Sequence, residues 1–206
     1  MTPDLRDQIR AGNREAFAAL FDRYARAVYN HAFHLTADWS LAEDVLSTTF
    51  LQAWRLRDRV DPDGGSLRPW LLGIATNTAR NARRGNRRYR VAVAALGTEE
   101  PTTPDHADTV AGQVDDSRQL AAVMAALGAL RRTEREVLTL CLWEGLDYAA
   151  AAAALGIPVG TVRSRLSRAR AKLRTIAGAE REPGSRRGQV RGDRTIAART
   201  AQEGQR

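Results

Sequence analysis

Residues 146–174 constrain the fold of this chain most, because they combine a one-sided apolar pattern with an unbroken series of basic residues. Val162, Leu166, Ala169 and Leu173 recur at spacings of four, three and four, which places them on one face of a helix. Such a helix can pack on a small core and still present a cationic surface to a polyanion. The basic residues of the pattern, which no acid interrupts, are Arg163, Arg165, Arg168, Arg170, Lys172 and Arg174.

A shorter helix is predicted immediately before the basic one. Asp147 can cap the alanine-rich run that follows it, and Gly156, after Leu155, suits the left-handed turn that ends a helix. Pro158 and Gly160 then mark the start of the next helix. Helix, tight turn and basic second helix is the order found in a helix-turn-helix, whose second helix lies in the DNA major groove.

The composition agrees with a nucleic-acid partner, although by itself it is weak support. The formal net charge is +8, and Lys172 is the only lysine among 32 basic residues. Arginine makes bidentate contacts to phosphate and guanine better than lysine does. A GC-rich genome would produce the same richness in Ala, Arg and Gly, so the placement of the charge carries more weight than its total.

Cysteine content and hydropathy predict a cytoplasmic protein. Cys141 is the only cysteine, which excludes an internal disulfide, and its leucine neighbours indicate a buried structural thiol. The N-terminal residues lack the hydrophobic core of a signal peptide, and no apolar run is long enough to cross a bilayer. Membrane insertion is therefore not expected.

Residues 10–90 are predicted to form a compact all-helical domain. Asn13 can cap the first helix, Ser40 and Glu43 fit a capping box for the second, and the turn-rich residues 57–65 are predicted to be a loop. The apolar or inward-facing positions are Phe17, Leu20, Phe21, Tyr24 and Val28, then Ala42, Leu46, Phe50 and Ala53, and finally Trp70, Leu71, Ile74 and Thr78 in a helix from Pro69 to Arg84.

Charge changes sign abruptly after this domain. Residues 80–90 contain six arginines and no acid, whereas residues 97–117 contain six acids and neither Lys nor Arg. With its prolines, the acidic stretch predicts a flexible linker over 91–117. A second helical domain is expected over 118–176, with the helix-turn-helix at its end, and a disordered basic tail over 177–206.

Three stretches, in the same order along the chain, resemble bacterial sigma factors. AEDVLSTTFLQAW (42–54) resembles their polymerase-binding helix, and RPWLLGIATNTARNARR (68–84) resembles the helix that reads the promoter minus-ten element. GIPVGTVRSRLSRARAKLR (156–174) is similar to their minus-35 reader. The resemblance covers about residues 13–175, and the short linker leaves no room for a third domain, as in the extracytoplasmic-function type.

The resemblance implies a transcription factor and not an enzyme. It predicts a chain that binds core RNA polymerase and directs promoter-specific initiation, by reading two promoter elements and aiding strand separation. The implied partners are core RNA polymerase, promoter DNA and an anti-sigma factor, with no cofactor, metal or catalytic residue. The acidic linker would extend toward the active-site and RNA-exit region of the polymerase.

Helical geometry indicates the minus-35 contacts. Projected at 100° per residue from Val162, four side chains point away from the apolar stripe and are the predicted base readers. These are Arg163, Ser164, Ser167 and Arg168, with Arg165, Arg170 and Lys172 expected on phosphates.

The minus-ten and polymerase residues follow from the resemblance. Polar readers of the minus-ten element are Asn77, Arg80, Asn81 and Arg84, and Arg59 and Asp61 in the loop would cradle an extruded base. The polymerase contacts are Glu43, Asp44, Ser47, Leu51 and Trp54.

Some positions depart from the family pattern. Ser47 stands where glutamine is usual, Asn81 where aspartate is frequent, and 149–154 are alanines where acids are common. Trp54 fits either a polymerase contact or the domain core, while Trp70 fits packing better than base stacking.

Two other classes of protein compete with this interpretation. A dimeric helix-turn-helix regulator would explain the second domain, but it leaves residues 42–54 and 68–84 unexplained. An enzyme would need a constellation that the sequence lacks: His31 and His34 lie close together, but no further metal ligands stand at suitable spacing. Phosphate-loop and nucleophile motifs are also absent.

Overall fold

In the computed structural model, which describes residues 5–95 and 113–180, the chain is built of helices and contains no strand in those ranges. The predicted all-α class and the helix-turn-helix are confirmed. The first domain comprises α1 (Leu5–Arg10), α2 (Arg14–Thr36), α3 (Trp39–Arg55), a 3-10 turn (Arg57–Arg59) and α4 (Arg68–Ala95). The second comprises α5 (Gln113–Ala129), α6 (Arg132–Leu138), a π-helical turn (Thr139–Trp143), α7 (Tyr148–Leu155) and α8 (Val159–Glu180).

Side-chain caps fix where several helices begin. The Asn13 side chain accepts a hydrogen bond from the Ala16 amide at 2.8 Å, as predicted. The capping box predicted at Ser40 is wrong: Asp38 caps α3 by accepting from the Leu41 amide at 2.9 Å. Asp38 has extended backbone and a carboxylate in reach of the first turn, so the helix starts at Trp39 and contains Ser40.

The helix-turn-helix has the predicted boundaries at its turn. Asp147 accepts from the Ala150 amide at 2.7 Å, and Gly156 ends α7 with a φ of 63°, in the left-handed region. The outer ends of the helices differ from prediction. Helix α4 continues past Arg84 to residue 95, and α5 begins at 113, so both ends of the stretch predicted as linker are helical. The disordered tail predicted over 177–206 is wrong at its start, because α8 continues to Glu180. Residues 96–112 and the rest of that tail, 181–206, lie outside the described residues.

Each domain has its own apolar core. Leu20, Val28 and Leu71 are fully buried in the first domain, where α2, α3 and α4 meet. In the second domain Leu138 and Leu166 are buried at the junction of α6 and α8. The half-buried Cys141 packs against that second core, and burial raises the pKa of its thiol, as expected for a structural cysteine.

The two domains also pack against each other, along α4 and α7. Leu72 of α4 is fully buried within the core of the second domain. At Gly73 a Cβ atom would lie 2.6 Å from the backbone oxygen of Ala154, so only glycine fits this crossing. Glycine within a helix costs about 1 kcal/mol relative to alanine, and the close approach of α7 is the structural reason for it here.

Two side-chain contacts at Trp143 and Glu144 also join the domains. Arg68 donates to the Glu144 carboxylate at 2.5 Å, and His34 lies against Trp143 with ring centroids 4.8 Å apart. Burial raises the pKa of Glu144, while the hydrogen bond from Arg68 opposes that shift. The domain contact is therefore both apolar and ionic.

Candidate nucleic-acid and protein interfaces

Helix α8 rests on the second core by the stripe that the sequence predicted. Val162, Leu166 and Ala169 are buried, and Leu173 is half-buried. The four predicted base readers, Arg163, Ser164, Ser167 and Arg168, are all exposed. The projection from the sequence therefore gave the outward face of this helix correctly.

The basic residues of α8 differ in what they contact. Among the described residues no carboxylate forms an ion pair with them. Arg168 donates to the Ser164 backbone oxygen at 3.2 Å, a contact within the helix. Lys172, predicted to contact a phosphate, is exposed and donates one hydrogen bond to the Ala129 backbone oxygen of α5. Of the other two predicted phosphate contacts, Arg165 is half-buried and Arg170 is exposed. The exposed guanidinium groups of this face keep their charge unneutralised.

Helix α4 carries the predicted minus-ten residues, and three of them are exposed. Asn77, Asn81 and Arg84 face solvent, whereas Arg80 is half-buried at the domain contact. Arg83, next to them, donates to the Leu35 backbone oxygen at 2.7 Å. Helix α4 therefore has exposed polar side chains, while its Arg80 and Arg83 bind other helices of the protein.

Arg80 forms a two-pronged ion pair with the second domain. Its Nε donates to Glu136 Oε1 and its Nη2 to Glu136 Oε2, both at 2.7 Å. Its Nη1 donates to Asn77 Oδ1 at 2.8 Å, which joins two predicted readers. The hydrogen bonds that Arg80 donates to Glu136 raise the pKa of Arg80, while burial opposes that shift. Arg132, on the same helix as Glu136, adds a longer contact of 3.9 Å to that carboxylate.

The loop between α3 and α4 presents Arg59 and Asp61, both exposed, as the base-cradle hypothesis requires. Its backbone is held by α1, a helix that the sequence analysis did not find. Arg6 donates to the backbone oxygens of Asp61 and Gly65, and Arg10 donates to that of Val60. Six residues are too few for helical periodicity to reveal α1 in the sequence.

The predicted polymerase surface on α3 is exposed over most of its length. Glu43, Asp44, Ser47 and Leu51 face solvent, and Leu51 is 51% exposed. Phe21 of α2 is also exposed and packs edge-on against Phe50 of α3, so it widens this apolar surface. Phe21 belongs to the apolar spacing of α2, yet its ring is exposed.

Trp54 belongs to the fold as well as to this surface. It packs edge-on against Phe17 with ring centroids 5.0 Å apart, and the Arg57 guanidinium lies 4.6 Å from its ring centroid. The ring is half-buried. These contacts agree with the interpretation that Trp54 belongs to the domain core. Part of the ring is still accessible.

The two neighbouring histidines pack within the protein. His31 is fully buried, with Nε2 2.8 Å from Thr76 Oγ1, and burial foremost, then the charges of His34 and Arg68, lower its pKa to about 3. Groups of three or more His, Cys, Asp or Glu side chains able to hold a metal do not occur in 5–95 or 113–180. Every helix in those ranges is too short or too polar to cross a bilayer.

Known proteins resemble this chain in both domains. Residues 20–89 match the family model for Sigma-70 region 2, and residues 120–173 match that for Sigma-70, region 4. ECF RNA polymerase sigma factor SigL of Mycobacterium tuberculosis is 33% identical over 159 residues, covering 76% of this chain and 85% of SigL.

Solved structures agree with the sequence matches. CnrH in complex with the cytosolic domain of CnrY superposes with a TM-score of 0.65 at 30% identity, covering 85% of this chain and 96% of CnrH. RpoE from Bartonella quintana, in complex with the anti-sigma factor NepR, gives a TM-score of 0.61 at 27% identity, covering 80% of this chain and 98% of RpoE.

Fold, site and comparisons define a promoter-recognising transcription initiation factor. The chain belongs to the RNA polymerase sigma factors of the extracytoplasmic-function (ECF) type. With core RNA polymerase it directs transcription initiation at promoters.

Proposed function

We propose that α8 reads the minus-35 element, that α4 and the loop before it read the minus-ten element, and that α3 contacts core RNA polymerase. The observation that carries the first assignment is the exposed basic face of α8. The opposite, apolar face of this helix is buried, and its arginines form no ion pair with a carboxylate among the described residues. A major groove admits a helix of this kind, with arginine reading guanine edges.

Recognition of the minus-ten element requires Arg80 to change partners. Its guanidinium is held by two hydrogen bonds to Glu136, so a DNA phosphate or base edge must replace that carboxylate. Asn81 and Arg84 are exposed and need no such exchange, whereas the side-chain oxygen of Asn77 accepts a hydrogen bond from Arg80. Release of this ion pair is therefore a step in minus-ten recognition by Arg80.

The chain acts as an initiation factor in the cytoplasm and performs no catalysis of its own. Membership of the sigma factor family supports this proposal, because such a factor directs a polymerase that supplies the chemistry. An anti-sigma partner is also proposed, since the similar RpoE forms a complex with the anti-sigma factor NepR. A partner of this type would compete with core polymerase for the chain, which a competition binding assay measures.

Reconstituted transcription tests the assignment of α8. The purified chain and bacterial core polymerase are given a genomic promoter library, and transcript starts are sequenced. Discrete starts that share two upstream elements are expected. Arg163→Ala should then reduce discrimination at one minus-35 base pair by about 1–3 kcal/mol.

Arg14→Ala is the matched control, because Arg14 is an exposed arginine at the start of α2, away from α8. It should leave base preference unchanged. A uniform loss on all sequences after Arg163→Ala would assign Arg163 to phosphates. Starts that require a second sigma factor would contradict the proposal as a whole.

A further inference from the structure

Helix α1 precedes residues 20–89, the segment that matches Sigma-70 region 2, yet its arginines bind the loop between α3 and α4. Arg6 is only 8% exposed, and its two terminal nitrogens donate to the backbone oxygens of Asp61 and Gly65. Arg10 donates to the backbone oxygen of Val60. One short helix therefore holds three carbonyl groups of this loop.

These bonds hold the backbone of the loop between Val60 and Gly65. The backbone oxygens of Asp61 and Gly65 both accept hydrogen bonds from the guanidinium of the buried Arg6. This guanidinium therefore links the two ends of the turn. The side chains of Arg59 and Asp61 are both exposed. Asp61 Oδ1 also accepts from the Asp63 amide at 3.1 Å, which further orders the turn.

Gly64 provides the space for this arrangement. A Cβ atom at Gly64 would lie 2.8 Å from Nη1 of Arg6 and 3.3 Å from its Cζ, too close for the guanidinium to remain in place. At Gly65 a Cβ atom would meet nothing within 4 Å among the described residues. Of the two adjacent glycines, only Gly64 is required by the position of Arg6.

We propose that Arg6 is a positioning residue for minus-ten recognition, which holds the loop so that Arg59 and Asp61 are presented to the extruded base. This inference rests on the proposed function of that loop. A loop that is already ordered loses less conformational entropy when it binds, so affinity increases. Base discrimination increases for a second reason: when the polar groups of Arg59 and Asp61 are held in place, a base of the wrong kind leaves them unpaired.

Arginine is the residue type that this position requires. Its planar fork of N–H groups reaches two carbonyl oxygens at once, whereas a lysine ammonium is a single point charge. The burial of Arg6 means that it acts through the loop and not on DNA directly. Arg6→Lys therefore separates the geometry of the side chain from its charge.

The test uses holoenzyme assembled from the full chain and core polymerase. Templates carry each of the four bases at each minus-ten position, and transcript yield is compared between them. Arg6→Ala and Arg6→Lys should each lower discrimination at the extruded base about tenfold. Affinity for core polymerase and dependence on the minus-35 element should stay at the wild-type level, which general unfolding would not allow. Arg14→Ala, an exposed arginine outside the loop contact, should behave as wild type.

Gly64→Ala provides a second route that leaves Arg6 in the chain. The added methyl group displaces the flexible end of Arg6, so discrimination should fall as in Arg6→Ala, and by more than in Gly65→Ala. Thermal unfolding of each variant identifies any that fails to fold, in which case Gly64→Ala decides.

Two results would overturn the inference about Arg6 and leave the proposed function of the loop standing. One is wild-type discrimination retained in both folded Arg6→Ala and Gly64→Ala, and the other is full rescue by Arg6→Lys. If the wild-type holoenzyme itself showed no base preference at the minus-ten element, the proposed function would fail, and the inference with it.

Discussion

Helices α4 and α8 are both rich in arginine, but the protein uses that charge differently in each. In α4, Arg80 is bound to Glu136 and Arg83 to the backbone oxygen of Leu35. In α8, Arg163 and Arg168 face solvent, and no described carboxylate pairs with them. The same residue type thus serves domain packing in one helix and an open cationic surface in the other.

The comparison shows that a count of basic residues does not measure readiness to bind DNA. An arginine already paired with a buried carboxylate must lose that partner before it binds a phosphate, whereas an exposed one only exchanges water and counterions. The exposed arginines of α8 therefore have no ion pair with a described carboxylate to lose before they bind a phosphate. Arg80 of α4 does have such an ion pair, with Glu136 of the second domain.

The largest expected effect comes from shortening a side chain of the buried apolar stripe of α8. Leu166→Ala deletes a side chain that is 1% exposed, so the free energy of unfolding of the second domain should fall by about 2–5 kcal/mol. Urea unfolding followed by circular dichroism measures this. Thr175→Ala, at an exposed position of the same helix, should change stability by about 0.5 kcal/mol at most. Equal effects of the two substitutions would mean that the apolar stripe does not anchor α8.

The crossing of α4 and α7 is tested by two glycines on one helix. Gly73→Ala places a methyl group 2.6 Å from the Ala154 backbone oxygen and should destabilise the protein by about 1–3 kcal/mol. Gly85→Ala, which meets nothing within 4 Å among the described residues, should instead stabilise it by about 0.5–1 kcal/mol. Thermal unfolding of both variants gives the comparison. Stabilisation by both would contradict the close domain contact.

Acidification tests the contact between α2 and the buried side of α4, where His31 lies next to Thr76. The pKa of His31 is lowered from 6.5 to about 3, so the folded protein keeps the ring neutral while the unfolded chain protonates it below pH 6.5. The contribution of His31 to the free energy of unfolding is therefore fully present above pH 6.5. It is lost at about 1.4 kcal/mol per pH unit as the pH falls from there toward 3.

Urea unfolding at pH 7 and pH 5 measures this loss. His31→Gln lacks the titrating ring and should reduce the difference in stability between the two pH values by about 2 kcal/mol. If the wild type and the variant lost the same stability on acidification, His31 would not be the group responsible.

The smallest expected effect concerns the partner exchange of Arg80. Glu136→Gln removes the charge that holds Arg80, so the free chain should prefer single-stranded minus-ten DNA over a scrambled strand about tenfold more than wild type. Fluorescence anisotropy measures that ratio, in which any general change in net charge cancels. Arg132→Ala removes the other partner of Glu136 without touching α4 and should leave the ratio unchanged. An unaltered ratio in Glu136→Gln would mean that the ion pair does not limit Arg80.

The sequence by itself determined the features that depend on neighbouring residues. Apolar spacing gave the buried stripe of α8, and cap chemistry gave the start of α2 and the turn at Gly156. The order of three motifs gave the family. Such features are local, because helical periodicity and capping act over one or two turns. The start of α3 was missed because Asp38 and Ser40 are both good caps, and only backbone geometry selects between them.

Only the tertiary structure decided which charged groups are already occupied. Nothing in the sequence pairs Arg80 with Glu136 or places Arg6 under the carbonyl groups of Asp61 and Gly65, since 56, 55 and 59 positions separate these partners. Gly73 looks like any helical glycine until α7 packs against it. Contacts of this range depend on how the helices pack, and that packing is set by the shape and burial of the whole core, which no single stretch of sequence contains.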